Sequence, residues 1–298
     1  MIKETNNFKN KNPEIIARLG KLKKLSKNPL VSLVIAAKDE QKYIGVTLKS
    51  LLNQSYNPIE IIVVDDNSSD KTPTIVKNFS DKRIKLIRLP KSEGYGTAYN
   101  IGAENSKGAI LMFFDAHLIY GKDFVKDLTL PIIQGKEVAT RHKAEKIANK
   151  SNLWARAEGS RIISEIKRHP VPVFIRKDVF EKIGPFDNSL GYSSDRTLFL
   201  KSGLTSAVLH TEIAHFNRDT MESIWNQGKW IGRSNKNPIK TIFSLPLSPF
   251  YVLYKSFKQF LEDPYWKFIY FLPIYHSVRY FSYFIGAIER LKGKKLIR

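Results

Sequence analysis

Residues 31–72 read VSLVIAAKDEQKYIGVTLKSLLNQSYNPIEIIVVDDNSSDKT, and this stretch decides the fold. It opens with a short apolar run at residues 31–37, which ends in charged residues and is typical of a fully buried strand. Residues 41–55 place apolar side chains at helical spacing, and residues 59–64 form a second apolar run. The stretch therefore predicts a buried strand, a helix and a second buried strand.

The same alternation continues along the chain. It predicts a helix through residues 75–79, a strand at 84–89, a helix at 97–106 and a strand at 109–114. Strands that alternate with helices in this way predict a parallel α/β sheet with right-handed crossovers. Farther on, residues 145–167 have the spacing of a longer helix.

Three of the predicted strands are followed by acidic or polar clusters, at residues 38–40, 65–66 and 115–117. Aspartate and asparagine are common in turns, so one such cluster alone would indicate little. Ligands of parallel α/β sheets bind beyond the carboxyl ends of the strands. Three clusters at one edge of one sheet therefore favour a binding site there.

Composition limits the class of protein. The chain has 298 residues, of which 42% are hydrophobic and 26% are charged, and these values exclude a disordered chain. It contains no cysteine, which excludes disulfides, thiolate metal sites and a cysteine nucleophile. The first 30 residues lack an apolar core segment, so no signal peptide is expected and the chain is predicted to stay in the cytoplasm.

The net charge of +21 is concentrated at the two ends of the chain. Residues 1–30 hold 8 basic and 2 acidic side chains, and residues 229–298 hold 13 basic and 3 acidic ones, whereas residues 31–228 are nearly balanced. A nucleic-acid enzyme would more naturally concentrate basic charge around its own cleft. The distribution favours an anionic membrane surface as partner and argues against nucleic acid.

Residues 241–298 are crowded with aromatic side chains, and lysine and arginine are interleaved among them. Because charged residues and Pro273 interrupt every long apolar run, a spanning helix is not expected. Tryptophan and tyrosine prefer headgroup depth, so the pattern favours amphipathic helices at a membrane interface. A helical cap on the main domain and a homodimer interface are the alternatives.

The quoted stretch resembles the opening of the family 2 glycosyltransferases, which have the GT-A fold. The resemblance covers roughly residues 30–235 and continues through YNIG (99–102), KG (107–108), FFDAH (113–117), IGPFD (183–187), SD (194–195) and HFNR (215–218). It implies a mostly parallel nucleotide-binding sheet flanked by helices. The expected division is a basic segment at 1–30, a GT-A domain at 31–235 and an aromatic-rich helical region at 236–298.

The resemblance also implies which residues bind the donor, a UDP- or GDP-linked sugar. In the family, the base and ribose lie at the end of the first strand and at the Asp-Asp element. A loop, here residues 92–100, covers the sugar nucleotide. The implied donor-binding residues are Ala36, Ala37, Glu40, Asp66, Gly94, Asn100, Asp115 and Arg218.

The segment Asp115-Ala116-His117 matches the family's Asp-x-Asp metal motif, but histidine stands at its third position. An Asp-x-His variant is similar to that of the polypeptide N-acetylgalactosaminyltransferases, where a distant histidine completes the metal shell. His215 matches that distant histidine. A metal site of Asp115, His117 and His215 suits Mn²⁺ better than Mg²⁺, because Mg²⁺ accepts nitrogen ligands less readily.

Ser194-Asp195 matches the family's Glu-Asp element, so the resemblance implies that Asp195 is the catalytic base of an inverting transfer. Serine in place of the family's glutamate keeps open a non-catalytic, membrane-associated sugar-nucleotide-binding protein. A nucleotidyltransferase is disfavoured, because AAKDE (36–40) lacks a glycine-rich phosphate loop. The acceptor is expected to be lipid-linked or a glycan, with peripheral contact on the cytoplasmic face of the membrane.

Overall fold

A computed structural model describes residues 12–20, 22, 24–159, 161–162, 168–235, 237–239, 242 and 249–293. The described residues form two compact units. The first, called the sheet unit, lies within Met1–Lys146, Arg161–Asn188 and Ser193–His215. The second, called the helical unit, lies within Ile147–Ser160, Ser189–Tyr192 and Phe216–Arg298.

The strands and helices follow one another through the chain. The strands are β1 Val31–Ala37, β2 Ile59–Asp65, β3 Ile84–Arg88, β4 Ile110–Asp115, β5 Leu118–Tyr120, β6 Ala139–Ile147, β7 Arg161–Ile162, β8 Arg168–His169, β9 Phe174–Arg176 and β10 Ser206–His215. The helices are α1 Asn12–Leu19, α2 Ile44–Leu52, α3 Thr72–Lys77, α4 Tyr95–Glu104, α5 Phe124–Ile133, α6 Leu153–Glu158, α7 Lys177–Ile183, α8 Thr197–Ser202, α9 Met221–Ser234, α10 Pro249–Glu262 and α11 Phe268–Leu291. A 3₁₀ helix spans Asn188–Arg196.

The sheet has the strand order β3-β2-β1-β4-β9-β6-β10-β5, with β7 on β6 and β8 on β10. The first four strands in this order are parallel, and β9 is antiparallel to β4. The sheet is thus mixed, with a parallel half of the predicted kind, and the α/β fold class is confirmed. In this register Ala37 lies opposite Asp65, and Ala36 lies opposite Asp115. The ends of β1, β2 and β4 therefore meet at one edge, as the polar clusters predict.

Both faces of the parallel strands β1, β2 and β4 are buried. One face of β1 contributes Leu33 and Ile35 to a core shared with α2 and α5, and the other face contributes Val34 to a core shared with α4. Such double burial explains why these strands are continuous apolar runs. Helix α4 packs so closely that a Cβ at Gly102 would overlap Val34 Cγ1, which only glycine avoids.

The helix predicted at residues 145–167 is wrong. β6 runs through Ile147, helix is confined to Leu153–Glu158, and residues 163–167 lie outside the described residues. The charged side chains of β6 are accommodated in the sheet by pairing. Glu145 Oε1 lies 3.2 Å from His142 Nε2 and 3.7 Å from Arg141 Nη2. The charged residues of β6 therefore lack the alternating apolar pattern by which a partly buried strand is recognised in a sequence.

In the helical unit, α9 packs along α11, and α10 and α6 also contact α11. The crossing is close, because a Cβ at Gly286 would overlap the carbonyl oxygen of Lys229. The predicted C-terminal helices are present over Pro249–Glu262 and Phe268–Leu291. Within the described ranges, none of the helices combines the length and the apolar character that a membrane-spanning segment requires. Helix α9 belongs to this unit, although the predicted boundary follows it at residue 236. The division into three segments stays a prediction.

Candidate functional site

The loops that follow β1 and β2 are interlocked by hydrogen bonds. Asp39 Oδ1 accepts from Ser69 N at 2.8 Å, and Asp39 N donates to Ser68 Oγ at 2.9 Å. Glu40 N donates to Thr72 Oγ1 at 2.7 Å. Asp39 has a φ of 55°, in the left-handed region that a short polar residue tolerates better than most. These bonds fix the position from which the Glu40 side chain projects.

Asp66 anchors the loop before α4. Its carboxylate accepts from Ser92 Oγ at 2.8 Å, from Glu93 N at 2.6 Å and from Gly94 N at 3.0 Å. Its own backbone N–H donates to the carbonyl of Ala37 at 2.8 Å. Asp66 thus joins three segments of the strand-end edge. Sequence reasoning missed this anchoring role, and the predicted contact with base or ribose stays a prediction.

Asp65 is also a structural residue. It is fully buried, its Oδ1 accepts from Ser68 N at 3.2 Å, and its Oδ2 lies 3.2 Å from Arg88 Nε. Ala36 and Ala37 end β1, and Ala37 lies opposite Asp65 in the sheet register. The Asp65 carboxylate therefore holds the loop that follows β2, and the Asp66 carboxylate holds the loop that precedes α4.

The glycines of the loop 92–100 permit a close approach, but to another part of the chain. Gly94 has a φ of 87° and directly precedes α4. A Cβ at Gly94 would lie 3.0 Å from Asn188 Oδ1, and the Asn188 amide also donates to the carbonyl of Glu93. The Asn188 side chain therefore packs directly against this loop. A contact between Gly94 and the donor stays a prediction.

Asn100 fixes the chain after α7. Its Nδ2 donates to the carbonyl of Phe186 at 3.0 Å, and its Oδ1 accepts from Phe186 N at 2.8 Å. Phe186 in turn packs against Tyr99 and Phe113 in the core. Both groups of the amide are thus used within the protein, and a role of Asn100 in donor binding stays a prediction.

The structure brings the two predicted histidine ligands together. The rings of His117 and His215 meet edge to face with their centroids 4.8 Å apart. His117 Nδ1 lies 3.0 Å from Glu40 Oε1, so Glu40 joins the same group. Asp115, two residues before His117, accepts from the Tyr99 hydroxyl at 3.3 Å. Oxygen and imidazole donors of this kind match the chemistry that Mn²⁺ accepts.

The described part of the chain contains no complete metal-binding site formed by protein side chains alone. No group of three or more histidine, cysteine, aspartate or glutamate side chains there is arranged to hold a metal ion. The donor types at Asp115, His117 and His215 thus fit a metal, but their arrangement alone does not enclose one. The metal site, its resemblance to the N-acetylgalactosaminyltransferase motif and the preference for Mn²⁺ stay predictions.

Asp195 lies in the 3₁₀ helix, and its backbone N–H donates to the hydroxyl of Tyr95 at 3.4 Å. Burial raises the pKa of Asp195 to about 6, and the negative charge of Asp115 adds to this shift, although Arg141 and Arg196 oppose it. A carboxyl group with a pKa near neutrality is suited to accept a proton. Asp115 and Asp195 therefore share one electrostatic environment.

Ser194, which stands where the family has glutamate, is packed against α4. It is fully buried, and a Cβ at Gly96 would lie 3.2 Å from Ser194 Cβ. Its carbonyl accepts from Thr197 Oγ1 at 2.7 Å, which fixes the backbone at this point. The Ser194 side chain thus packs against the first turn of α4.

Three tyrosines around Asp115 were not found by sequence reasoning. Burial raises the pKa of Tyr95, Tyr99 and Tyr120, and the charge of Asp115 raises each further. Their hydroxyls therefore stay neutral and can donate hydrogen bonds to a charged neighbour. Tyr120 belongs to the short strand β5, whose role no local sequence signal indicated, and its hydroxyl is buried without a hydrogen-bond partner.

Arg218 lies in the helical unit. Its Nη1 is 3.2 Å from Glu158 Oε1, and its backbone N–H donates to Glu158 Oε2 at 3.0 Å. This pairing neutralises the buried carboxylate of Glu158 and orients the guanidinium. The predicted contact of Arg218 with a donor diphosphate stays a prediction.

The mixed sheet, with its polar edge at the ends of β1, β2 and β4, defines an α/β protein of the GT-A type. Residues 32–190, more than half of the chain, match the model of the family described as glycosyl transferase family 2. The chain belongs to this family.

Two relatives illustrate the range of matches. An uncharacterised glycosyltransferase of Rickettsia prowazekii is 30% identical over 195 residues, which cover 61% of this chain and 61% of the relative. The beta-monoglucosyldiacylglycerol synthase of Trichormus variabilis is 33% identical over 138 residues, covering 44% of this chain and 29% of the relative. The chain spans 36%, 61% and 63% of the lengths of three curated relatives that it matches.

Two solved structures share the fold over most of this chain. Residues 1–349 of TarS from S. aureus, in complex with UDP-GlcNAc, are similar with a TM-score of 0.53 and 16% identity, covering 89% of this chain and 92% of that one. The mannosyltransferase PcManGT from Pyrobaculum calidifontis, in complex with GDP-Man and Mn²⁺, has a TM-score of 0.53 and 14% identity, covering 90% and 88%. At these identities the likeness concerns the fold.

Proposed function

We propose that the protein is a metal-dependent, inverting glycosyltransferase that moves a sugar from a nucleotide-diphosphate sugar to a lipid-linked or glycan acceptor. The observation that carries this proposal is the group of side chains at the ends of β1 and β4. His117 Nδ1 lies 3.0 Å from Glu40 Oε1, the His117 ring meets His215 edge to face, and Asp115 accepts from the Tyr99 hydroxyl beside them. Membership of family 2 supports the same reaction class.

The donor would bind at the edge formed by β1, β2 and β4. The loop 92–94, which Asp66 holds through three hydrogen bonds, and the Glu40 carboxylate offer polar groups to a base and ribose. A structural neighbour binds UDP-GlcNAc and another binds GDP-Man, so both uridine and guanosine donors remain candidates here. Sugar nucleotides of either base share the diphosphate that the site must accommodate.

Asp115, His117 and His215 would hold a divalent metal, because they supply the oxygen and imidazole donors that such a metal accepts. When bound, the metal would neutralise negative charge on the departing diphosphate. The neutral hydroxyl of Tyr99 donates to Asp115 and would hold that carboxylate in one orientation.

Asp195 is the proposed base. The acceptor hydroxyl oxygen attacks the anomeric carbon in line, its proton passes to the Asp195 carboxylate, and the bond electrons leave with the nucleoside diphosphate. Arg141 and Arg196 favour the ionised form that this step requires. If the acceptor were a phosphate, no base would be needed, and Asp195 would instead orient the acceptor.

The exposed apolar residues of the C-terminal helices support a membrane-bound acceptor and peripheral contact on the cytoplasmic face of the membrane. The name of the relative from Trichormus variabilis, a beta-monoglucosyldiacylglycerol synthase, is that of an enzyme of lipid glycosylation, which supports the same acceptor class. A soluble glycan acceptor, with these helices as a homodimer interface, is the competing arrangement.

The second candidate function is a non-catalytic, membrane-associated sugar-nucleotide-binding protein. The buried Ser194, which stands where the family has glutamate, is the observation that favours it. This candidate predicts that the protein binds a donor and turns over no acceptor.

Release of UDP or GDP from a panel of donor sugars, with Mn²⁺ and lipid-linked or glycan acceptors, tests the proposal. We expect turnover by the native chain and a loss of about 100-fold or more for Asp195→Asn, because general bases contribute at least that factor. The exposed Asp127 of α5 provides the matched control, and Asp127→Asn should retain full activity. Unchanged turnover in Asp195→Asn would refute the role of Asp195, and donor binding without turnover in the native chain would support the second candidate.

A further inference from the structure

The large apolar side chains that remain exposed are concentrated in one part of the helical unit. Among the described residues, eleven of the sixteen exposed large hydrophobic side chains lie between Phe250 and Leu291. Single exposed hydrophobic residues are ordinary on protein surfaces, whereas a cluster of them marks an interaction site. This segment therefore presents an apolar surface of the kind that binds a partner or a membrane.

Helix α10 carries most of that surface on one side. The exposed side chains share one stripe, are 56 to 84% accessible, and comprise Phe250, Leu253, Tyr254, Phe257 and Leu261. At about 100° per residue they fall within about 100° of the helix circumference. Val252 and Ser256, which are buried, lie on the opposite side of the helix. The helix thus has an inner packed face and an outer apolar face.

Three more exposed side chains follow α10 along the chain, namely Trp266, Ile269 and Tyr270, and each is more than half exposed. The rings of Trp266 and Tyr270 lie 6.3 Å apart, so the two aromatics are neighbours. Tryptophan and tyrosine are the side chains that prefer the depth of lipid headgroups. The α10 stripe and these three residues together are called the aromatic surface.

Basic side chains accompany the aromatic surface. Lys267 Nζ lies 5.4 Å from the ring centroid of Trp266. Lys258 is exposed beside the stripe and Glu262 is exposed at the end of α10, whereas the nearby carboxylate of Asp263 is paired with Arg156. The charge available next to the apolar side chains is therefore mainly positive, which complements an anionic surface.

We propose that the aromatic surface docks onto a lipid bilayer that contains anionic headgroups. The inference rests on the membrane contact of the proposed function and names the side chains that make it. Apolar side chains enter the headgroup boundary, and the lysines stay at the level of the anionic groups. A second copy of the chain fits less well, because protein interfaces are depleted in lysine and two such surfaces would carry like charge.

Co-sedimentation of the full chain with vesicles tests the proposal. Vesicles of phosphatidylcholine alone are compared with vesicles that also contain phosphatidylglycerol. We expect clear binding to the anionic vesicles, at least tenfold weaker binding by Phe257→Ser/Leu261→Ser, and weaker binding of the native chain at high salt. The matched control is Leu200→Ser/Leu130→Ser in the sheet unit, because Leu200 is 61% exposed and Leu261 is 64% exposed.

Equal vesicle binding by the native chain and Phe257→Ser/Leu261→Ser would overturn the proposal, as would no binding by the native chain. Light scattering without lipid tests the competing occupant, and a native dimer that this variant converts to monomer would also overturn it. Binding of UDP and GDP is measured on the same preparations. Vesicle binding without nucleotide binding would support the docking surface and refute the proposed enzyme. Nucleotide binding without vesicle binding would support the proposed enzyme and refute the docking surface.

Discussion

The strand-end edge of the sheet unit and the aromatic surface of the helical unit are built by opposite means. At the edge, Asp39, Asp66 and Glu40 are each bonded to neighbouring loops, so individual polar atoms determine the geometry. On the aromatic surface, large side chains face outward and are held only through the opposite side of their helix. The edge should therefore respond to single-atom changes, and the aromatic surface to changes in apolar area.

The largest stability effect is expected where the helical unit is most tightly packed. In Gly286→Ala the new methyl group meets the backbone carbonyl of Lys229, which has no flexible end that can move aside. We expect a loss of about 2 to 3 kcal/mol in the free energy of unfolding, measured with denaturant.

Gly45 of α2 provides the control for that substitution, because a Cβ there would meet Ile75 Cγ2 at an ordinary 3.6 Å. Gly45→Ala should therefore stabilise the protein by about 0.5 to 1 kcal/mol, through the lower entropy of the unfolded chain. A Gly286→Ala variant that is at least as stable as the native chain would contradict the close crossing of α9 and α11.

The next effect tests the polar edge. Asp66→Asn removes the charge that accepts from Ser92, Glu93 and Gly94, so we expect a loss of about 2 kcal/mol in the free energy of unfolding. Asp81 is a matched control, because it forms an ion pair with Arg83 that is about one-third exposed to water. Asp81→Asn should cost less than about 1 kcal/mol. Equal costs would show that Asp66 does not anchor the loop.

A smaller effect, of opposite sign, is expected at Asp195. Its pKa is raised from 3.8 to about 6 in the folded chain, so the folded state holds a proton that the unfolded state releases between these values. Stability contributed by this group therefore falls as the pH rises from about 4 to 6, and Asp195 is destabilising above that range.

Asp195→Asn should accordingly stabilise the protein by about 1 to 2 kcal/mol at pH 8, and this gain should vanish below pH 4. Thermal or denaturant unfolding in metal-free buffer across this pH range is the measurement. A gain that does not change with pH would contradict the burial of the Asp195 charge.

Local sequence patterns were sufficient for the parallel half of the sheet. The strands and helices between Val31 and Asp115 coincide with apolar runs or with regularly spaced apolar residues, so each one could be predicted from its own residues. The strand β6 was missed, because Glu145 is accommodated by His142 and Arg141 and not by an apolar pattern. Ion pairs and hydrogen bonds between charged side chains do not produce the alternation of apolar and polar residues by which a strand is recognised in a sequence.

The site was predictable in its residue types and much less in their partners. Strand ends indicated where Asp66, Asp115 and His117 gather, because parallel strands end at a common edge. The bond from Asp195 to Tyr95 and the clamp of Asn188 on Glu93 join segments about 100 residues apart in the chain. Such contacts arise only from the tertiary fold, so the roles of Tyr95 and Asn188 could not be anticipated.

The central claim is that the edge formed by β1, β2 and β4 binds a nucleotide-diphosphate sugar with the help of a metal. Calorimetric titration of UDP and of GDP, each with and without Mn²⁺, tests it on the native chain and on His117→Ala. We predict that one nucleotide binds the native chain in a manganese-dependent way and that His117→Ala loses this dependence. Failure of both nucleotides to bind the folded native chain, with or without Mn²⁺, would contradict the account.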